Sequence, residues 1–167
     1  TVDRTETNGL YCFYAKDKAG NQSATYYVFL DGEKPTAVIK NAIGTTLTGE
    51  YTNYTFSYTA SDLGSGISYL QYKTPGSSSW STYTDGYTIP PTFTNGTYQF
   101  RAVDKAGNIS ATKSIVLDSK QPTMTLYSGD VSVSNGYKSI ANYIKATATD
   151  SGSGVKTIYV KKPGASS

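Results

Sequence analysis

The sequence predicts an all-β chain, and three observations lead to that prediction. Apolar and polar side chains alternate along residues 55–60 and 98–103, with Phe, Tyr and Ala on one side and mostly polar residues on the other. A period of two with many Thr and Tyr residues is typical of strands that bury one face. Turn signals such as Asn95-Gly96 separate these segments, and no stretch carries apolar residues at helical spacing.

The amino-acid composition favours a folded chain in which Tyr supplies much of the core volume. The chain has 167 residues, 16 of them Tyr, and aromatic residues make up 13% of it. Charged residues amount to only 16%, and the formal net charge is +3. Disordered chains usually combine high net charge with few aromatic residues, so this composition indicates a packed core.

The same composition excludes several kinds of active site. The chain has no His and a single Cys, Cys12. A Ser-His-Asp or Cys-His mechanism therefore cannot be built from this chain alone, and neither an internal disulfide nor a multi-cysteine zinc site can form. Lys and Arg do not cluster, and no apolar run reaches the ~18 residues of a membrane helix. We expect a non-catalytic protein without nucleic-acid partners or membrane insertion.

An internal repeat governs the organisation of the chain. Residues 17–21, Asp-Lys-Ala-Gly-Asn, recur unchanged at 104–108, an offset of 87 residues (104 − 17). Further along, Ser153-Gly154 repeats Ser65-Gly66 at an offset of 88 (153 − 65), so one residue is inserted between the two matches. Self-similarity at a fixed period is the signature of a repeat architecture.

The repeat divides the chain into one complete unit and two partial ones. Residues 34–121 form a complete repeat of about 87 residues, with room for about seven strands. Residues 1–33 are the C-terminal part of a preceding repeat, and residues 122–167 are the N-terminal half of a following one. Residues 31–35 and 118–122 are short linkers between the units. Pro35 and Pro122 close them, and a proline ring stiffens the entry to the next strand.

The alternation also predicts which side chains face the core. In the complete repeat these residues are Ala37, Ile39, Phe56, Tyr58, Leu70, Tyr72, Tyr98, Phe100, Ile115 and Leu117. In the partial repeats they are Tyr11, Phe13, Val28, Leu30, Met124, Leu126, Ile144, Ala146, Ile158 and Val160. We expect all of these positions to be structural.

Glycines mark the sharpest turns of the repeat. In Asp104-Lys-Ala-Gly107-Asn108, the aspartate can accept a backbone hydrogen bond while Gly107 takes the left-handed conformation that closes a bulged hairpin. Gly20 holds the same place in the earlier copy. Segments 62–66 and 150–154, each beginning with Asp and rich in Gly, predict corners between strands.

Two segments resemble the tyrosine corner of immunoglobulin-like and fibronectin type III sandwiches. They are Gly96-Thr-Tyr98-Gln-Phe100-Arg-Ala102 and Gly9-Leu-Tyr11-Cys-Phe13-Tyr-Ala15. The resemblance implies that Tyr98 and Tyr11 each begin a strand and bond back to a nearby loop.

The whole repeat is similar to the Ig-like repeats of bacterial secreted and cell-surface proteins. The shared pattern is carried by Asp62, Ser65-Gly66-Ile67, Trp80, Gly96-Thr-Tyr98, residues 104–108 and Pro122. The resemblance implies tandem Ig-like β-sandwiches in an extracellular protein, either secreted or anchored at the cell surface. It also implies a structural role, in which the segment projects adhesive or enzymatic domains and has the neighbouring repeats of its own chain as partners.

Outward aromatic residues offer an alternative function. The candidates are Tyr14, Tyr27, Tyr69, Trp80 and Tyr83, which fall on outward or loop positions of the predicted strands. Flat aromatic side chains stack on sugar rings, so a polysaccharide or a host surface protein is the alternative partner. Tyr is also a good strand residue that decorates sheets without binding anything.

Acidic turn residues raise the question of a bound Ca²⁺ ion, which takes several oxygen ligands. The candidate ligands are Glu33, Asp62, Asp104, Asp118 and Asp150. Their spacing matches no Ca²⁺-loop motif, and an aspartate that nucleates a turn explains each of them. We therefore expect no cofactor and keep Ca²⁺ as an alternative.

The partial repeats also suggest self-assembly. Thr1 is equivalent to Thr88 and Ser167 to Ser79, so the two partial repeats are complementary pieces of one sandwich. One explanation is that the sequence is a window of a longer repeat protein. The other is that the pieces pair head to tail between molecules, or within one molecule, and complete the sandwich.

Overall fold

A computed structural model describes residues 6–134, 136 and 143–164, and these residues form strands and turns without a helix. The all-β prediction is therefore confirmed, and none of the described segments could cross a membrane as a helix. In chain order the strands are β1 (Gly9–Phe13), β2 (Tyr26–Leu30), β3 (Thr36–Asn41), β4 (Tyr51–Thr52), β5 (Phe56–Ser61), β6 (Ile67–Lys73), β7 (Ser81–Tyr83), β8 (Thr88–Ile89), β9 (Gly96–Asp104), β10 (Lys113–Leu117), β11 (Thr123–Ser128), β12 (Val131–Val133) and β13 (Ile144–Thr149).

The chain divides into two compact units, Thr1–Leu117 and Asp118–Ser167. The division falls at the start of the predicted linker 118–122. The first unit holds the partial repeat 1–33 together with most of the complete repeat. Thr1 and Ser167, on which the predicted complementarity of the ends depends, lie outside the described residues.

The complete repeat consists of two sheets that share one core. One sheet has the strand order β3-β5-β8, and the other has the order β4-β10-β9-β6-β7. The complete repeat has eight strands, β3 to β10, whereas the sequence predicts about seven. Two of the eight, β4 and β8, have only two residues each. Only β4 and β10 pair in parallel; the other described strand pairs of the repeat are antiparallel, as short connections require.

Aromatic rings fill the space between the two sheets. Phe100 stacks on Tyr58 with ring centroids 5.0 Å apart and meets Phe56 edge to face at 6.2 Å. Tyr83 meets the same ring edge to face at 5.5 Å. Offset stacking and edge-to-face contacts are the favourable geometries for such rings. Tyr and Phe thus supply the core volume for which aliphatic residues are scarce.

The predicted core of the complete repeat is confirmed at nine of its ten positions, and Tyr72 is partly buried against it. Four further hydrophobic residues are buried that were not among the ten predicted core positions: Tyr83, Ile89, Ala102 and Val103.

The partial repeat in the first unit forms a hairpin of β1 and β2, with Gly9 opposite Leu30 and Phe13 opposite Tyr26. The predicted burial of this hairpin is wrong, since Phe13 is 46% exposed and Val28 is 56% exposed. The hairpin is a sheet of its own with only two strands. A two-stranded sheet cannot cover its own apolar face.

The second unit repeats the pairing of the complete repeat in the same register. Its strand order is β12-β11-β13, and Thr123 pairs with Thr149 as Thr36 pairs with Ser61, at offsets of 87 and 88. Residues 155–161, the counterpart of β6, belong to no strand. The predicted burial is wrong here as well, because no second sheet is present among the described residues of this unit. The most exposed of these positions are Met124, Ile144, Ile158 and Val160.

The tyrosine and glycine positions have the geometry that the sequence predicts. The Tyr98 hydroxyl donates to the Thr94 carbonyl at 2.9 Å, and the Tyr11 hydroxyl donates to the Thr7 carbonyl at 2.7 Å. Gly107 and Gly20 have φ of +92° and +95°. These angles favour glycine because a side chain would strain the backbone. Pro35 and Pro122 each stand one residue before a strand, β3 and β11 respectively.

Candidate functional site

Residues 62–66 form a loop that is closed by its own first side chain. Oδ1 of Asp62 accepts hydrogen bonds from the amides of Gly64 at 3.1 Å and Gly66 at 2.8 Å. Asp is a common turn former because its short carboxylate reaches nearby backbone donors. The amide of Ser65, which lies between the two glycines, bonds outside the loop.

The acceptor of that amide is Asp31, a residue of the preceding linker. Oδ2 of Asp31 lies 2.7 Å from the Ser65 nitrogen, and Oδ1 accepts the amide of Glu33 at 3.0 Å. The carboxylate is packed against Gly64, where an added Cβ would come within 2.6 Å of the Asp31 Cγ. Glycine is therefore required at position 64 if the aspartate is to reach the loop.

The turn 104–108 is also hydrogen-bonded to this linker. The Asn108 side-chain amide donates to the Asp31 carbonyl at 2.9 Å and to Oδ2 of Asp104 at 2.8 Å. The Lys105 amide donates to the Gly66 carbonyl at 3.0 Å, which joins the turn to the loop. We call Asp31, loop 62–66 and turn 104–108 together the junction.

The second unit repeats the linker-to-loop part of this arrangement. Oδ1 of Asp150 accepts the amides of Gly152 at 3.0 Å and Gly154 at 2.8 Å. Oδ2 of the linker residue Asp118 accepts the amide of Ser153 at 2.6 Å. The two linkers of the chain thus use the same hydrogen bonds to hold the repeat that follows each of them.

These hydrogen bonds lower the pKa of both linker aspartates below the ordinary value of 3.8. For Asp31 the largest cause is the hydrogen bond from the Ser65 side chain, followed by that from the Ser65 amide. For Asp118 the same two causes come from Ser153. Donors aimed at a carboxylate favour its ionised form. Both side chains are therefore negatively charged at neutral pH.

Three carboxylates meet at the junction. Oxygen atoms of Asp31, Asp62 and Asp104 lie within 4.8 Å of one another, and oxygen ligands suit Ca²⁺. The structure thus brings together two of the predicted Ca²⁺ ligands, Asp62 and Asp104, and adds Asp31. Each of the three already accepts amide donors of the junction, as turn-forming aspartates do. The hydrogen bonds of the junction account for the cluster.

The other predicted Ca²⁺ ligands lie elsewhere. Asp118 and Asp150 belong to the second unit. Glu33 is exposed and contributes its backbone amide to Asp31.

Three of the predicted ligand-binding aromatics are exposed. Tyr27 is 65% exposed and lies on β2 opposite Cys12, and Tyr14 is 55% exposed and directly follows β1. Tyr69 is 45% exposed and lies on β6, in a different sheet. The structure therefore groups the two hairpin residues and separates them from Tyr69.

Two other candidates have different surroundings. The prediction that Tyr83 faces outward is wrong: it is 3% exposed, and its hydroxyl bonds to the Tyr58 amide and the Tyr87 carbonyl. Backbone partners for the hydroxyl allow the ring to enter the core. Trp80 is half-buried, with the Arg101 guanidinium 4.3 Å and the Lys73 ammonium 4.9 Å from its ring centroid. These cations cover part of the ring surface that a sugar would need.

No family model matches the chain, and comparison with curated proteins and with solved structures finds no match either.

The residue that the sequence reasoning missed is Asp31. Its acidic group was not among the candidate residues, although Leu30-Asp31 recurs as Leu117-Asp118 at the repeat offset. This recurrence is the sequence signal that could identify Asp31. A linker that only met solvent would not need an aspartate at the same position in both copies.

Proposed function

We propose that this chain is a non-catalytic spacer segment of a bacterial extracellular repeat protein of the Ig-like class that its sequence resembles. Its role is to hold successive repeats in a defined order and so to project adhesive or enzymatic domains. The observation that carries the proposal is the linker aspartate bonded to the following loop, Asp31 to Ser65 and Asp118 to Ser153.

A spacer resists bending only if its joints are fixed. Asp31 closes the partial repeat 1–33, and its carboxylate and carbonyl oxygens are both bonded to the complete repeat. A flexible Gly/Ser tether behaves as a random coil because it makes no such bonds. The recurrence of the same bond at the next linker supports the same role.

The rigidity of the joint can be measured with two spin labels. The first label goes on the native, exposed Cys12 in the hairpin, and the second on an introduced Lys113→Cys in β10, whose side chain is also exposed. We expect one narrow distance distribution by pulsed electron resonance. Asp31→Ala should broaden it, because the linker then loses its bond to Ser65.

The matched control is Asp17→Ala. Asp17 is also a turn aspartate with a lowered pKa, but it bonds within its own turn, to Asn21 and Ala19. This variant should keep the narrow distribution. A broad distribution in the unmodified chain, or equal broadening in both variants, contradicts the spacer proposal.

A second candidate function is binding of a polysaccharide or host surface protein, and the pairing of the hairpin favours it. Tyr27 lies on β2, Tyr14 directly follows β1, and both are more than half exposed. Retention on insoluble polysaccharides and cell walls tests this function. Loss of retention in Tyr14→Ser/Tyr27→Ser, but not in Tyr69→Ser, would support binding at the hairpin. No retention of the unmodified chain would leave the spacer as the only function proposed.

A further inference from the structure

The outward face of the five-stranded sheet carries two cations beside one aromatic ring. Gln71 of β6 and Arg101 of β9 lie directly opposite each other, and Thr82 of β7 lies opposite Gln71 on the other side. Trp80 stands immediately before β7. The centroid of its ring is 4.3 Å from the Arg101 guanidinium carbon and 4.9 Å from the Lys73 ammonium nitrogen. Both cations are partly exposed, so a ligand in solution can reach them.

Neither cation has an anionic partner of its own. Nε of Arg101 donates to the neutral Oε1 of Gln71 at 2.8 Å. Within the part of the chain that the structure describes, no carboxylate pairs with Arg101 or with Lys73. The Nη donors of the guanidinium and the Lys73 ammonium therefore remain available. Two like charges beside one ring repel each other, and an anion bound between them would remove that repulsion.

Both cations are ordered before any ligand binds. The face of a Trp ring attracts a cation, and Trp80 has one cation from each of two strands beside it. Arg101 is fixed a second time by its bond to Gln71. Side chains that are already ordered lose little rotamer freedom on binding. Trp80 thus holds the two cations in place, and the cations are the groups that meet the ligand.

The repeat itself does not require these side chains. At the offsets of 87 and 88 residues, the counterpart of Arg101 is Tyr14 and the counterpart of Gln71 is Tyr159. Both members of the hydrogen-bonded pair are therefore different in the other copies, whereas the core positions beside them stay apolar. The cationic face belongs to the complete repeat and is not a requirement of the fold.

We propose that this face of the complete repeat binds a carboxylated polysaccharide, with Arg101 and Lys73 contacting the carboxylate. The paired Nη groups of a guanidinium match the two oxygens of a carboxylate, which an ammonium alone does not. The site is an additional function beyond the spacer role. It lies on a different sheet from the hairpin tyrosines Tyr14 and Tyr27.

The surroundings of the cations suit a sugar chain better than an acidic peptide. Gln99 lies opposite Lys73, and Thr82 lies opposite Gln71, so amide and hydroxyl groups flank the cations and can bond to sugar hydroxyls. The exposed ring of Tyr69 follows two residues before Gln71 on the same face and offers a surface for the next sugar. Because β6 lies between β7 and β9, it has no free edge to which a peptide could add as a strand.

The native fluorescence of the chain tests the site directly. Trp80 is the single Trp of the sequence, so its emission reports on this face alone. The probes are an oligogalacturonate and its methyl ester, which have the same sugar with and without the charge. We expect a saturable change in emission with the acid and none with the ester. Raising the NaCl concentration from about 0.05 M to about 0.5 M should weaken the binding, because salt screens exposed charges.

Calorimetry with the same oligogalacturonate compares variants whose folding is checked by circular dichroism. Arg101→Ala should bind about tenfold more weakly or worse, because charge-assisted hydrogen bonds are lost. Arg101→Lys keeps the charge without the paired donors and should fall between the two. Trp80→Phe keeps an aromatic face for the cations and should bind more tightly than Trp80→Leu. The matched control is Lys40→Ala, which removes one positive charge from β3 in the other sheet and should bind as the unmodified chain does.

Four results would overturn the proposal. They are equal binding of the acid and the ester, equal weakening in Arg101→Ala and Lys40→Ala, no binding of either probe, and equal affinity for single-stranded DNA, which would mean that the face takes any polyanion. Binding that survives Arg101→Ala but is lost in Tyr14→Ser/Tyr27→Ser would assign the polysaccharide to the hairpin instead. None of these results bears on the spacer role, which the distance between two spin labels tests.

Discussion

A single carboxylate, that of Asp31, joins two parts of the first unit. Its side chain is only 7% exposed, yet it bears a charge. Burial of a charge is costly unless hydrogen bonds compensate, and Asp31 accepts the amides of Ser65 and Glu33. The Ser65 donors, which lower its pKa the most, are therefore also those that bond Asp31 to the following repeat.

The junction should weaken in acid. A group whose pKa is lowered by folding stabilises the folded state above its ordinary pKa, and this contribution is lost as the pH falls through the folded value. The pKa of Asp31 lies below 3.8, so the loss should begin near that value and continue below it. The Ser65 amide shift, followed by NMR against pH, should therefore show a midpoint below 3.8.

The control for this titration is Asp31→Asn, in which the Ser65 amide should lose the transition. A midpoint above the ordinary aspartate value in the unmodified chain would contradict the hydrogen bond as the cause.

Gly107→Val should destabilise the first unit through backbone strain alone. Gly107 has φ of +92°, and no atom lies within 4 Å of the position of an added Cβ, so the variant meets no clash. A β-branched residue in this conformation costs about 1–3 kcal/mol. Thermal unfolding followed by circular dichroism should show a lower melting temperature.

Gly49→Val is the matched control, because Gly49 is exposed and has no positive φ. A melting temperature as high for Gly107→Val as for Gly49→Val would mean that the 104–108 turn does not need glycine.

At the scale of the strand, the alternation of side chains predicts burial where it depends on the residue types of the strand itself. It fails where burial or strand formation depends on hydrogen-bond partners or neighbouring strands elsewhere in the chain. The alternation along residues 98–103 correctly places Tyr98 and Phe100 in the core. Tyr83 is missed because a tyrosine fits either face, and only its backbone partners decide that the hydroxyl can be buried. Residues 155–161 have a strand pattern but no strand, because strand formation needs a neighbour that a pattern does not supply.

The candidate site was predictable only in part, for the same reason. The turn aspartates Asp62 and Asp104 stand out in the sequence because their Gly-rich contexts mark turns. Asp31 and Ser65 are separated by 34 positions in the sequence, so no local sequence pattern shows that they are hydrogen-bonded.

The hydroxyl of Tyr98 should stabilise the start of β9. It donates to the Thr94 carbonyl at 2.9 Å, and the side chain is 2% exposed. An intramolecular hydrogen bond contributes about 0.5–1.5 kcal/mol, so Tyr98→Phe should lower the free energy of unfolding by roughly that amount in a urea titration. Tyr69→Phe, at an exposed position of β6, should leave it nearly unchanged. Equal values for both variants would show that the corner bond contributes nothing.

At the scale of the whole molecule, the two units differ in how much apolar surface they bury. The thirteen residues of the buried hydrophobic core in the described chain run from Ala37 to Leu117. After Asp118, no described residue is fully buried. Because burial of apolar surface is the main favourable term in folding, the second unit depends on its strand pairing and on the Asp118–Ser153 bond far more than the first does.

This asymmetry predicts different rates of amide hydrogen exchange in the two units. Amides of β9 should exchange only on global unfolding of the complete repeat, whereas those of β11 and β13 should exchange at least about 100-fold faster in dilute solution. Equal protection of β9 and β13 at high dilution would show that the second unit is stable on its own.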